Sequence, residues 1–131
     1  MGPYIEHHST PLYKYRDQLM PPAERLELSL KMVAILRIMM PDINMTATTA
    51  MQTLHPQGRE RALKIGANVI MPNLTPLKYR EGYLLYENKP NIHEETEVSL
   101  KNLRASIENA GCTLATGEWG DSKHYLERTG N

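Results

Sequence analysis

A short segment rich in hydroxyl side chains, NMTATTAMQT at residues 44–53, has the clearest chemical potential in this chain. Thr46, Thr48 and Thr49 stand where a buried strand usually carries Val, Ile or Leu, although Thr is itself a good strand former. Buried hydroxyls need hydrogen-bond partners. We therefore predict that one face of this segment looks into a cavity that holds a polar guest or water.

Two further groups of residues are candidates for the walls of the same cavity. The apolar segment ANVIMP is followed directly by Asn73, and parallel α/β structures bind ligands where their strands end. Tyr79, Tyr83 and Tyr86 are spaced by four and three residues, so they share one face of a helix. Their hydroxyls suit a hydrated pocket wall about as well as a core.

The other reactive residues are better explained by ordinary structural roles. His7 and His8 are adjacent and match no common zinc spacing, so we interpret them as loop histidines. The segment HEETE at 93–97 lacks the second histidine of a helical zinc motif and suits the acidic start of a helix. Cys112 has no nucleophile signature around it. The glycines of PQGRERALKIGA fit a plain turn better than an anion site.

Composition excludes several classes of protein. The chain has 131 residues, with 15 basic and 15 acidic side chains, so its formal net charge is zero. That balance argues against nucleic acid or an anionic membrane as the main partner. No apolar run is long enough to cross a bilayer, and the first residues do not resemble a secretory signal. The single cysteine allows no intrachain disulfide, and we expect a cytoplasmic protein.

The hydrophobic pattern predicts a single α/β domain at 1–131, with a loop at 1–22, a core at 23–90 and a C-terminal helix and tail at 91–131. Apolar residues recur at helical spacing in three segments, and two other segments are typical of strands. The predicted helices are residues 23–40, 58–65 and 94–110, with one more between Pro76 and Pro90 that carries the three tyrosines. The predicted strands are residues 44–51 and ANVIMP. Strand, helix and strand form a βαβ unit with parallel pairing.

Two parallel strands alone would leave long unpaired edges. Parallel sheets generally contain several strands and are covered on both faces. We therefore expect either that this chain is part of a larger α/β structure or that it self-associates.

Two stretches resemble a known family: residues 29–86, SLKMVAILRIMMPDINMTATTAMQTLHPQGRERALKIGANVIMPNLTPLKYREGYLLY, and the opening MGPYIEHHSTPL. The chain is similar to the C-terminal part of the FeFe-hydrogenase maturase HydE, which includes a BATS-type C-terminal domain. HydE is a radical S-adenosylmethionine (SAM) enzyme related to biotin synthase. The resemblance implies that the chain forms the last strands and helices of a (β/α)8 TIM-barrel.

The resemblance also implies cofactors, a substrate and site residues. The complete enzyme would hold SAM on a 4Fe-4S cluster and act on a small-molecule or organometallic substrate, a cysteine-bound iron carbonyl cyanide species. The residues that match the family's substrate cavity are Thr48, Thr49, Tyr83 and Tyr86. Met71, and less directly Met1, match positions that lie against SAM.

One departure from the family limits what the resemblance implies. The cluster motif Cys-x-x-x-Cys-x-x-Cys is absent, and one cysteine cannot supply the three thiolates that such a cluster needs. We therefore assign no catalytic or metal-binding residue and expect this chain to be inactive alone, with no cofactor bound. Two alternatives stay open: a stand-alone, non-catalytic binding domain, and part of an enzyme like biotin synthase or methylornithine synthase.

Overall fold

The computed structural model describes residues 2–83 and 86–130. Within this part of the chain the fold is mainly helical. Six α-helices occur in chain order: α1 (Pro22–Met39), α2 (Thr49–Leu54), α3 (Gly58–Lys64), α4 (Leu77–Arg80), α5 (Thr96–Asn109) and α6 (Lys123–Thr129). Two 3-10 helices cover Pro11–Gln18 and Glu81–Tyr83.

The core lies where α1, α2 and α3 meet. Helix α1 begins at a proline, which suits the first turn of a helix because the missing N–H would have had no partner there. It buries Leu26, Leu30 and Val33, which follow one another at helical spacing. The rest of the core comes from the segments that follow α1, and consists of Met45, Ala47, Met51, Ala62 and Ala67.

One isolated bridge joins the two segments that were predicted as strands. Thr46 pairs with Val69 in parallel orientation. The Ala47 N–H donates to the Val69 carbonyl at 2.9 Å, and the Val69 N–H donates to the Met45 carbonyl at 3.0 Å. The parallel direction agrees with the prediction, but among the described residues the pairing does not extend into a strand.

The predicted strand at 44–51 is wrong in its second half, because residues 49–54 form α2 instead. Ala, Met, Gln and Leu in TAMQTL are good helix formers, and Thr48 before them has the extended backbone of an N-cap residue. In the other segment of the bridge, Pro72 follows soon after Val69 and has no N–H with which to continue the pairing. Of the predicted α/β architecture, the described residues therefore show the helices and one parallel bridge.

Three of the helix predictions agree with the structure, and one does not. Helices α1, α3 and α5 agree with the predicted segments to within two residues. The single helix expected to carry all three tyrosines is wrong, because α4 ends at Arg80 and the following 3-10 helix ends at Tyr83. The tail also contains α6, whose N-cap Ser122 accepts a hydrogen bond from the Tyr125 N–H at 3.2 Å.

Candidate functional site

The bridge brings the ends of two segments side by side. Thr48 and Thr49 follow Thr46 directly, and Met71 and Asn73 follow Val69. Because the pairing is parallel, both segments leave the bridge at the same edge. The threonines and the Met-Pro-Asn exit predicted to share a site are therefore neighbours.

Thr49 and Tyr86 form a hydroxyl pair. The Thr49 Oγ1 lies 2.6 Å from the Tyr86 phenolic oxygen, and both side chains are half-buried. The Thr49 backbone carbonyl also accepts a hydrogen bond from Thr53 Oγ1, one turn later in α2, at 3.2 Å. Two residues that are 37 positions apart in the chain, and that were predicted as substrate-binding, thus meet directly.

Thr48 is covered by the N-terminal segment. Its hydroxyl oxygen is buried and has no hydrogen-bond partner among the residues that the structure describes. Gly2 lies on this side chain so closely that a Cβ at Gly2 would be 2.4 Å from the Thr48 Oγ1. A buried hydroxyl without a partner is costly, so it indicates a place where a polar group or water would be favourable.

The remaining predicted site residues lie at the periphery. Tyr83 is 56% exposed, and its backbone carbonyl accepts a hydrogen bond from Lys89 Nζ at 3.0 Å. The Met71 side chain is also exposed, while its carbonyl is held by an arginine of α3. Met1 lies outside the described residues. The structure thus joins Thr49 to Tyr86 and leaves Tyr83 and Met71 facing solvent.

Arg59 is a site residue that the sequence analysis missed. Only 5% of it is exposed, and its Nη2 donates to the Met71 carbonyl at 3.0 Å. Its Nε is buried and has no partner among the described residues. Burial lowers the pKa of Arg59, because the guanidinium loses hydration, while nearby Tyr86 and Glu60 act in the opposite direction.

A helical-face argument could have found Arg59. Residues three apart on a helix lie on the same side, and Arg59 is three residues before Ala62, which is fully buried in the core. An arginine on the buried side of a short helix is the signal that was available.

Thr49 and Arg59 line a small cavity of about 30 Å³ between α3, α5 and the segment after the bridge. A cavity of this size holds one or two water molecules. Six of the ten lining residues are polar, although apolar atoms make up more of the lining surface; the residues are Thr49, Arg59, Met71, Pro72, Asn73, Lys89, Pro90, Asn91, Ser99 and Leu103. A guanidinium, a hydroxyl and amide groups around a small space are suited to a small polar or anionic group.

The comparison with known proteins gives this geometry a context. Over 127 residues, which is 97% of this chain, the sequence is 42% identical to the "[FeFe] hydrogenase maturase subunit HydE" of Thermotoga maritima. This chain is related to HydE. The predicted resemblance is therefore confirmed. The chain spans 34% of the length of that HydE, and no family model matches it.

The side chains of this chain can be compared with those that the implied cofactors need. Among the described residues no group of three or more His, Cys, Asp or Glu side chains is placed to hold a metal ion. Cys112 is the only cysteine, so this chain does not fit the three thiolates of a 4Fe-4S cluster. Met71 lines the small cavity, its side chain is exposed, and its backbone carbonyl accepts a hydrogen bond from Arg59.

In the part of the chain that the structure describes, no helix combines the length and the apolar character needed to cross a membrane.

Proposed function

We propose that this chain forms the C-terminal part of a HydE-like radical SAM protein that takes part in assembling the active-site cluster of FeFe-hydrogenase. Its share of that task is to wall the substrate cavity. The hydroxyl pair of Thr49 and Tyr86 at the exit of the parallel bridge carries the proposal. The 42% identity to HydE supports the same role.

Three features of this chain would act on a substrate. Thr49 and Tyr86 offer hydroxyl groups that exchange their mutual hydrogen bond for bonds to a polar guest. The buried Thr48 hydroxyl adds another group that lacks a partner among the described residues, and Tyr83 would close the cavity from its exposed position. Arg59 adds a fixed positive charge in a poorly hydrated place, where its field on an anionic group is strong.

The implied cofactors belong to the complete protein. SAM with its 4Fe-4S cluster would supply the radical chemistry there, and this chain's contribution is the thioether of Met71, with Met1 proposed for the same surface. The single parallel bridge would become part of a larger barrel, with the remaining strands supplied by the rest of the protein. On this proposal that remainder, or a second copy of the chain, is the partner that covers its open edges.

A chimera tests the proposal. The aligned segment of Thermotoga maritima HydE is replaced by this chain, and the yield of active FeFe-hydrogenase is measured in a reconstituted maturation assay. We expect the chimera to support maturation. We expect Thr49→Val with Tyr86→Phe to lower the yield at least about tenfold, because the cavity loses both hydroxyls. Tyr79→Phe should have little effect, because Tyr79 is exposed and does not line the cavity.

Two results would count against the proposed function. The first is a chimera that is soluble, binds its cluster as the parent does and gives no active hydrogenase. The second is an equal loss of activity in the Tyr79→Phe control and in the double variant. Circular dichroism and the iron content of each variant separate these results from simple misfolding.

A further inference from the structure

A groove of about 350 Å³ runs between α1 and α3, on the side of α3 that faces away from Arg59. Leu30, Ala34 and Ile65 give it an apolar lining. Leu30 is almost fully buried and belongs to the core, so the floor of the groove is part of the core. The cavity that contains Thr49 shares none of these residues.

The apolar strip continues along α1 beyond the groove. Leu30, Ala34 and Ile38 follow one another by four residues, so they lie on one face of the helix. Ile38 is 81% exposed, more than any other apolar residue of α1. From Leu30 to Ile38 the strip is roughly 12 Å long at about 1.5 Å per residue, which is about two helical turns.

The rim of the groove is positively charged. Lys31, Arg61 and Lys64 line it, and Glu27 is the one acid among its lining residues. Glu27 forms an ion pair with Arg61, whereas Lys31 and Lys64 form no ion pair among the described residues. The whole chain has no net charge, so this cationic rim is a local concentration of charge rather than a general property of the surface.

We propose that this groove docks an acidic amphipathic helix of a partner protein. Such a helix would place about two turns of apolar side chains on Leu30, Ala34, Ile65 and Ile38. Its flanking carboxylates would meet Lys31 and Lys64. Charge complementarity selects an acidic partner, and helix-in-groove binding is a common mode for an apolar strip of this length. The proposal does not depend on the Thr49 cavity.

A designed peptide probes the groove in the full 131-residue chain. The probe is a fluorescein-labelled helical peptide with Leu at positions i, i+4, i+7 and i+11 and Glu beside them; a second peptide carries Lys in place of each Glu. Fluorescence anisotropy gives both affinities. We expect the acidic peptide to bind at least about tenfold more tightly than the basic one, and more weakly at high salt.

Two pairs of variants locate the binding. Ile38→Asp should weaken the acidic peptide at least about tenfold, while Met39→Asp, at 71% exposure on a different face of α1, should not. Lys31→Glu with Lys64→Glu should weaken it likewise, while Lys101→Glu with Lys123→Glu should not. All four positions of the lysine variants are exposed, so folding is not at risk.

The proposal is overturned by equal binding of the two peptides, by no binding of either, or by control variants that weaken binding as much as the groove variants do. It is also overturned if sedimentation shows a dimer of this chain that Ile38→Asp dissociates, because a second copy would then be the occupant.

Discussion

Two buried arginines lie in different parts of this protein and are satisfied to very different degrees. Arg80 is 2% exposed, and it donates to the Thr75 carbonyl at 2.6 Å, the Asn91 carbonyl at 3.0 Å and the Thr96 hydroxyl at 3.2 Å. Further carbonyls within its reach are those of Asn73, Ile92 and Glu94. Arg59 is nearly as buried, yet its Nε has no partner among the described residues.

The difference separates a structural arginine from a candidate functional one. Arg80 ties the segment after the bridge to the turn before α5, and every part of its guanidinium is used in doing so. Arg59 has a donor that remains available beside the hydroxyl pair of Thr49 and Tyr86. A buried polar group that is only partly satisfied is unfavourable for folding alone, so its presence calls for a ligand, water or another explanation.

The largest effect is expected at Arg80. Arg80→Ala would leave several buried carbonyls without a donor, and we expect it to lower the free energy of unfolding by about 3 kcal/mol or more. Urea denaturation measures this. Arg80→Lys should recover little, because an ammonium group cannot reach acceptors spread around a planar guanidinium. A loss below about 1 kcal/mol would show that the two arginines do not differ in the way described.

The next effect tests how rigidly Arg59 is held. A Cβ at Gly58 would lie 2.0 Å from the backbone oxygen of Met51, so α2 and α3 would have to move apart. We expect Gly58→Ala to lower the free energy of unfolding by about 2 kcal/mol. Gly82→Ala is the matched control, because nothing lies within 4 Å of its Cβ position, and it should be neutral or slightly stabilising. Equal effects at both glycines would contradict the close packing beside Arg59.

A smaller effect on stability is expected at Arg59 itself. Arg59→Met removes the donor to the Met71 carbonyl, which costs about 1 kcal/mol, but it also removes a poorly hydrated charge. The two terms offset each other, so we expect the free energy of unfolding to change by less than about 1 kcal/mol. In the HydE chimera the same variant should lower maturation at least about tenfold. A loss of stability as large as that of Arg80→Ala would make Arg59 structural as well.

The contrast between these arginines was only partly predictable from the sequence. Periodicity located α1, α3 and α5, because their apolar residues recur at helical spacing over several turns. The threonine segment was ambiguous, since alternating Thr and apolar residues suit a strand while TAMQTL also suits a helix. The single bridge depends on contacts between distant residues, and no local pattern determines its length.

The site was predictable to a similar degree. The sequence, through its resemblance to HydE, pointed to Thr49 and Tyr86, and the structure brings these two into contact. It gave no sign that Gly2 covers Thr48 or that Arg80 would collect so many carbonyls, because both depend on how loops fold back. Arg59 was accessible in principle from its position on the buried side of α3. The sequence could not show that the Arg59 Nε would lack a hydrogen-bond partner among the described residues.

The smallest effect concerns a third arginine, Arg25, which has a carboxylate partner although its Nε, like that of Arg59, is buried without a hydrogen-bond partner among the described residues. Arg25 Nη1 lies 2.6 Å from Glu6 Oε2, and this hydrogen bond holds the pKa of Glu6 below its usual value. Because the pKa of Glu6 is lower in the folded chain than in the unfolded chain, its carboxylate stabilises the fold fully at pH values above the unfolded-state pKa. This stabilisation is lost as the pH falls below about 4.5.

Because Glu6 is partly exposed, we expect only about 0.5 kcal/mol from this pair after screening by solvent. Urea unfolding gives the free energy of unfolding at pH 6 and at pH 3.5. The difference between these two values should be about 0.5 kcal/mol smaller in Glu6→Gln than in the unmodified chain. Glu24→Gln, which changes an exposed carboxylate with no ion pair among the described residues, should leave the difference unchanged. If Glu6→Gln behaves like Glu24→Gln, ion pairing does not stabilise Arg25, and the contrast with Arg59 lies in burial alone.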